Sequence, residues 1–157
     1  MVDRPAGQVR IEDAPIAVTF VLDVNAYASG DLMAQPVKLE GVAYPDSRVA
    51  TLMSVVVYDA DDQGENLTVC FTGDIGDDIG TLNSAPSLSD AQSEKGEGFV
   101  QVTTWEDLGS CQQGCEDAVG LMVETDENGD LWVWLLSKGA GTYASGEIKA
   151  KFYFVRS

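Results

Sequence analysis

The chain has 157 residues, 45% of them hydrophobic, enough for one domain with a substantial core and too apolar for a disordered polypeptide. Twenty-six acidic residues against nine basic ones give a formal charge of −17, which repels nucleic acid and anionic membranes at long range and favours solubility, resistance to self-association and docking to basic patches on a protein partner. There is no histidine, which excludes Ser-His-Asp and Cys-His catalysis and any imidazole zinc ligand.

Residues 1–15 contain Pro5, Gly7 and Pro15 and hold no sustained period. They read as an extended N-terminal arm, with Val9 and Ile11 as the residues that would cover a neighbouring surface. The same stretch carries Asp3, Arg4, Arg10, Glu12 and Asp13 and lacks the apolar centre of a signal peptide, so the chain is expected to be cytosolic when made. No segment reaches the roughly 18 to 20 apolar residues of a membrane helix.

The first strand is expected over Ile16–Val24, where Val18, Phe20 and Leu22 alternate with Thr19, Val21 and Asp23. After a turn-rich link, Leu32, Met33, Val37, Leu39 and Val42 continue as a short strand that Gly41 is placed to bulge. A Pro-Asp turn over Tyr44–Ser47 leads to a long strand, Arg48–Tyr58, apolar on both faces in its second half, as for a strand between packed layers. Leu67–Thr72 is the expected hairpin partner of that strand. The intervening turn, Asp59–Asn66, holds four carboxylates and one glycine.

Between Gly73 and Gly98 Gly, Asp, Asn, Ser and Pro dominate, with one helical turn expected near Ser87–Glu94, capped by Ser87 or Ser89. A connection longer than about 12 to 15 residues usually serves binding, so Pro86, Ser87 and Leu88 become candidate partner-interface residues. Further strands are expected at Phe99–Thr104, Val119–Thr125 and Leu131–Leu136, the last two joined as a hairpin through Asn128-Gly129. The final strand, Glu147–Val155, puts Ile148, Ala150, Phe152 and Phe154 on one face and Lys149, Lys151 and Tyr153 on the other. The sum is an all-β single domain over 16–157, an antiparallel β-sandwich or jelly-roll-like fold.

Several patterns hint at chemistry, and each has a plainer explanation. Asp59, Asp61, Gln63 and Gly64 match the opening of a calcium loop, but the twelfth position, where a bidentate acid closes the coordination sphere, is Cys70. Asp126, Asn128 and Asp130 fit a tight turn without any ion. Clustered carboxylates in turns favour a solvated face over the acid pair of a glycosidase. Trp132 and Trp134, two apart on one strand, could stack on a sugar, yet core or interface packing accounts for them better. The glycines of GDIGDDIG, at 73–80, come with three acids that would repel phosphate. Cys70 reads as a small buried hydrophobe, and Cys111 and Cys115 flank a Gln-Gln-Gly loop as free thiols or a local staple. No metal and no cofactor are expected.

Four segments taken together carry a resemblance: ASGDLM at 28–33, LMSVVVYDADDQGENLTVCF at 52–71, IGTLNSAPSLSDAQ at 79–92 and GAGTYASGEIKAKFYF at 139–154. In this order and spacing the chain resembles a family of small β-rich structural proteins of tailed bacteriophages. The resemblance implies a non-enzymatic virion component on the capsid exterior, a decoration or cement protein whose partners are the major capsid protein and copies of itself, in a symmetric oligomer such as a trimer. A tail, collar, baseplate or carbohydrate-binding host-attachment role is the alternative. The segment from Leu108 to Val119, with GSCQQGCEDA, departs from the shorter connection the family leads one to expect.

Overall fold

The computed structural model describes residues 14–157. The arm expected to cover a neighbour through Val9 and Ile11 therefore lies outside the described residues. Ten strands and one short helix follow in order: β1 Ile16–Val21, β2 Leu32–Leu39, β3 Val49–Asp59, β4 Leu67–Thr72, α1 Asp90–Ser93, β5 Gly96–Val102, β6 Trp105–Asp107, β7 Gln112–Glu116, β8 Leu121–Glu124, β9 Leu131–Ser137 and β10 Glu147–Arg156. They form two antiparallel sheets, one in the order β1-β10-β3-β7-β6 with β8 also on β3, the other β2-β9-β4-β5. The chain is an all-β sandwich.

Between the sheets lies one core, filled by the inner faces of both. Phe20, Leu52, Val55, Val57, Ile148 and Phe152 from the larger sheet meet Leu39, Val69, Phe71, Val100, Val133 and Leu135 from the smaller. Phe71 packs edge-on against Phe152 and Phe154, with centroids 5.6 and 6.3 Å apart, the edge-to-face geometry that the aromatic quadrupole favours. The alternation expected for β10 is observed in full: Ile148, Ala150, Phe152 and Phe154 are all buried.

β3 shows how register follows burial. Its buried residues are Ala50 and Leu52, then Val55, Val57 and Asp59, a change of phase that a strict two-residue period forbids. The ladder with β10 passes from Ser54↔Tyr153 to Leu52↔Phe154 and leaves Met53 as the extra residue of a bulge, its carbonyl accepting from Val119 N–H at 2.9 Å. The strand does not lie between two layers as expected from its apolar second half. Met53 and Tyr58 face solvent, and Val56 is only half-buried.

Two expected hairpins are not hairpins. β4 does not pair with β3: it lies between β9 and β5 in the other sheet, and the acidic turn carries the chain across the sandwich. Likewise β8 pairs with β3 while β9 pairs with β2 and β4. The Asn-Gly turn is still tight, with Gly129 N–H donating to Asp126 O at 3.0 Å and Gly129 at φ 82°. A Cβ at Gly129 would come within 2.2 Å of Ala43 O, so the turn is packed against the β2–β3 connection and its strands diverge. Turn chemistry fixes a reversal of direction; which strand a segment then joins is decided by which apolar face it must cover.

The Gln-Gln-Gly stretch between Cys111 and Cys115 is not a loop: with Cys115 it lies in strand β7, paired with β6, and Cys111 stands just before the strand. It lacks β-branched residues, which hid it from propensity. It forms because the Val55–Asp59 half of β3 needs a partner, and because Gly114 lets the strand close on Val102 and Trp105, whose atoms would stand 2.8 and 3.1 Å from any Cβ there.

Candidate functional site

The calcium-like turn is an internal clasp. Asp59 is 1% exposed, and its carboxylate accepts from the backbone N–H groups of Asp61, Gln63 and Gly64, all at 2.9 Å. Asp61 turns outward to accept from Ser145 N–H and Oγ, and Gln63 Oε1 accepts from Thr142 N–H at 3.0 Å. The oxygens that would coordinate an ion thus tie the β3–β4 crossover to the β9–β10 connection. Among the described residues no group of three or more Cys, Asp or Glu is placed to hold a metal. At the other turn Asp126 Oδ1 accepts from Asn128 and Asp130 N–H, while Asp130 bonds Gly41 N–H and lies 3.1 Å from Lys38 Nζ.

The long connection 73–95 is a lid on the outer face of the smaller sheet. Its neck is closed by Gly73 N–H to Lys95 O at 2.8 Å, and Gln35 grips it like a backbone amide, Nε2 donating to Gly80 O at 2.6 Å and Oε1 accepting from Ile79 N–H at 3.0 Å. Ser89 caps α1 in a reciprocal capping box with Gln92, whose side-chain Nε2 also reaches Ile75 O at 2.8 Å. Beneath the lid Ile75 and Ile79 form a second apolar cluster with Leu32 and Trp134, flanked by Cys70, Leu82, Leu88 and Leu136. Of the residues proposed for a partner, Leu88 packs on this cluster, Pro86 is half-buried, and Ser87 is exposed with its N–H bonded to Ile79 O. The lid explains why β9 is apolar on both faces.

Trp134 is 8% exposed under the lid, whereas Trp132 is half-buried with Lys38 Nζ 5.9 Å from its ring. The two do not form an open stacking platform. Cys70, expected as a small buried hydrophobe, is only half-buried at the flank of the cluster beneath the lid; burial pushes its thiol up to about 12, so it remains neutral. Cys111 and Cys115 are free thiols; extended backbone separates them by roughly 13 Å, beyond disulfide reach.

No family model matches the chain, and no curated protein does.

The outer face of the larger sheet differs from the rest of the surface. Across β1, β10 and β3 the outward residues are Ala17, Thr19 and Val21 from β1, Lys149, Lys151, Tyr153 and Val155 from β10, and Thr51, Met53, Ser54, Val56 and Tyr58 from β3. Met122 of β8 continues the row through Thr51 and Val155 and is 69% exposed. Acids stand only at the margins, at Glu147, Glu124 and Glu106. Lys151 Nζ lies 5.6 Å from the Tyr58 ring, over a shallow groove of about 200 Å3 bounded by Ala17, Thr19 and Lys149. In a chain of charge −17 this face is apolar and basic. The alternation of β10 disclosed Lys149, Lys151 and Tyr153; Met53 and Met122 were hidden, because their exposure follows from the bulge and from the pairing of β8 with β3.

Proposed function

We propose that this chain is a non-enzymatic structural protein of a bacteriophage virion, a decoration or cement protein that binds the outer capsid shell and bridges neighbouring subunits. The observation that carries the reading is the outer face of the larger sheet. It is a broad, rigid, apolar and basic surface on a molecule whose other charges are overwhelmingly acidic, and its opposite side is closed by a pinned lid. Such a face suits adhesion: burial of Met53, Met122, Val155 and Tyr58 supplies the favourable term, and the lysines select an acidic patch on the shell, the reverse of the basic patch that the overall charge of −17 leads one to expect. Many copies on one particle turn a modest energy per site into firm attachment through avidity. The four-segment resemblance points the same way.

Copy number tests it. Band intensities from purified particles should place the chain at a number comparable to the major capsid protein, and the isolated protein should rebind particles that lack it. A few to tens of copies per particle would assign it instead to the tail, collar or baseplate. Met122→Glu together with Lys151→Glu should weaken rebinding at least about tenfold without unfolding the protein. Unaltered rebinding would remove the proposed face from contention.

A further inference from the structure

Sheet edges expose unpaired backbone groups, and proteins usually guard them with charge, proline, bulges or brevity. This sandwich guards nearly all of its edges. β2 carries Pro36 and two register shifts, and its Leu32 is bonded to Asn83 and Ser84 of the lid. β5 has Gly96, Gly98 and a register shift, and Glu97 accepts from Glu124 N–H of β8 at 2.6 Å. β6 has three residues, two of them Glu106 and Asp107, and β8 has four.

β1 is the exception. From Pro15 to Leu22 the sequence PIAVTFVL contains no charge, and within the strand there is neither glycine nor proline. Leu22 N–H donates to Gly146 O at 2.8 Å, in the same register that pairs Ile16 with Phe152. The even residues of β1 therefore bond to β10, and Ala17, Thr19 and Val21 direct N–H and C=O out of the sheet. No described residue bonds to them there. Val21 is 73% exposed, Ile16 and Val18 are only half-covered, and a groove of about 290 Å3 runs between this edge and Gln35, Pro36 and Val37 of β2.

We infer that β1 pairs antiparallel with β1 of a second copy of this chain, about a two-fold axis at Thr19, joining the two larger sheets into one. In this register Ala17 faces Val21 of the partner copy and Thr19 faces Thr19, giving about six backbone hydrogen bonds. The occupant follows from the self-complementary register. The paired segment is uncharged in a chain of charge −17, so a second copy brings no like charge into the ladder. Glu147 and the partner copy's Lys151, like the two Lys149 residues, stand three strand spacings apart, roughly 14 Å, more than a Debye length of about 8 Å, so neither their attraction nor their repulsion decides the pairing. On the inner face Val18 meets the partner copy's Phe20, which completes the cover of a half-exposed position. An axis normal to the sheet sets both outer faces on the same side. The pairing needs no virion reading to hold.

Sedimentation equilibrium of the full chain should give twice the mass of one copy at micromolar concentration. Thr19→Pro removes an outward N–H and leaves the β10 ladder intact; Thr19→Lys places like charges across the axis. Each should weaken dimerisation at least roughly a hundredfold with an unchanged circular-dichroism spectrum. In a Cys111→Ser, Cys115→Ser background, Thr19→Cys should form an intermolecular disulfide on mild oxidation, whereas Ala17→Cys, with its two copies about 13 Å apart in this register, should not. A monomer at all concentrations, a dimer indifferent to both Thr19 variants, or equal cross-linking at positions 17 and 19 would each overturn the inference.

Discussion

Asp59 is a charged residue almost fully withdrawn from water, and three backbone N–H groups make that position tenable. Asp59→Ala would leave those donors unpaired in a crowded turn and release the clasp on the β9–β10 connection, lowering unfolding stability by about 2 to 3 kcal/mol, measurable as a reduced urea midpoint. The alkaline limb of stability has its own residues. Burial raises the Tyr27 phenol to about 12, the Cys70 thiol to about 12, and the Tyr143 phenol further above its usual value of 10. All three are neutral when protonated, so the unfolded chain releases their protons first as pH rises. Their contribution is complete below about pH 8, where the unfolded chain's thiol begins to ionise, and declines from there through 12. Thermal midpoints should be level from pH 7 to 8 and fall above that, and two of the five tyrosines should ionise only as the protein unfolds, as followed by phenolate absorbance. At this scale the sequence was partly legible: the spacing of Asp59, Asp61, Gln63 and Gly64 marked an organised turn, yet it could not show that the ligand oxygens point at Ser145 and Thr142, some eighty residues away.

Among the elements, the lid over the smaller sheet was recognisable as unusual by its length, and Ser89 was among the caps expected for its helical turn. Its role was less visible, since Gln35, the residue that holds it, lies in β2 and looks like any polar strand residue. Gln35→Ala should loosen the lid without melting the sandwich: faster amide exchange over 75–88, a red shift in tryptophan emission as Trp134 meets water, and quicker modification of Cys70 by a thiol reagent. Wild-type amide exchange over 75–88 in that variant would show that the lid is held by other contacts. Apolar alternation located β1 and β10 within a few residues because their inner faces are strictly periodic, while β9 stood out as an unbroken apolar run. Pattern reading of this kind has a limit. It misjudged the partners of β3, β4, β8 and β9, because a hairpin reading assumes that neighbours in sequence are neighbours in the ladder. It missed β7, whose existence depends on β3 rather than on its own residues.

For the whole molecule, β10 is the structural spine. It stands between β1 and β3, contributes Ile148, Ala150, Phe152 and Phe154 to the core, and its end is tied back through Ser157 N–H to Val49 O and through Ser47 Oγ to Ser157 O. Deleting residues 147–157 should abolish cooperative unfolding altogether, leaving a chain without a sharp calorimetric transition. A shortened chain that still melts in one sharp step would mean that the smaller sheet and its lid are stable alone. The proposed edge pairing and docking face meet at β10 as well, because its outward lysines border both.

The path of the backbone has a kinetic corollary. The chain changes sheet at β1–β2, β2–β3, β3–β4, β5–β6, β8–β9 and β9–β10, so few of its ladders can zip from a neighbouring turn. Loop closure must precede most native pairings, which places refolding in the range of milliseconds to seconds rather than microseconds. During that interval β-branched segments such as that around Val55 lie bare, and mutual repulsion between highly anionic nascent chains is what would keep them from clumping before the sandwich shuts.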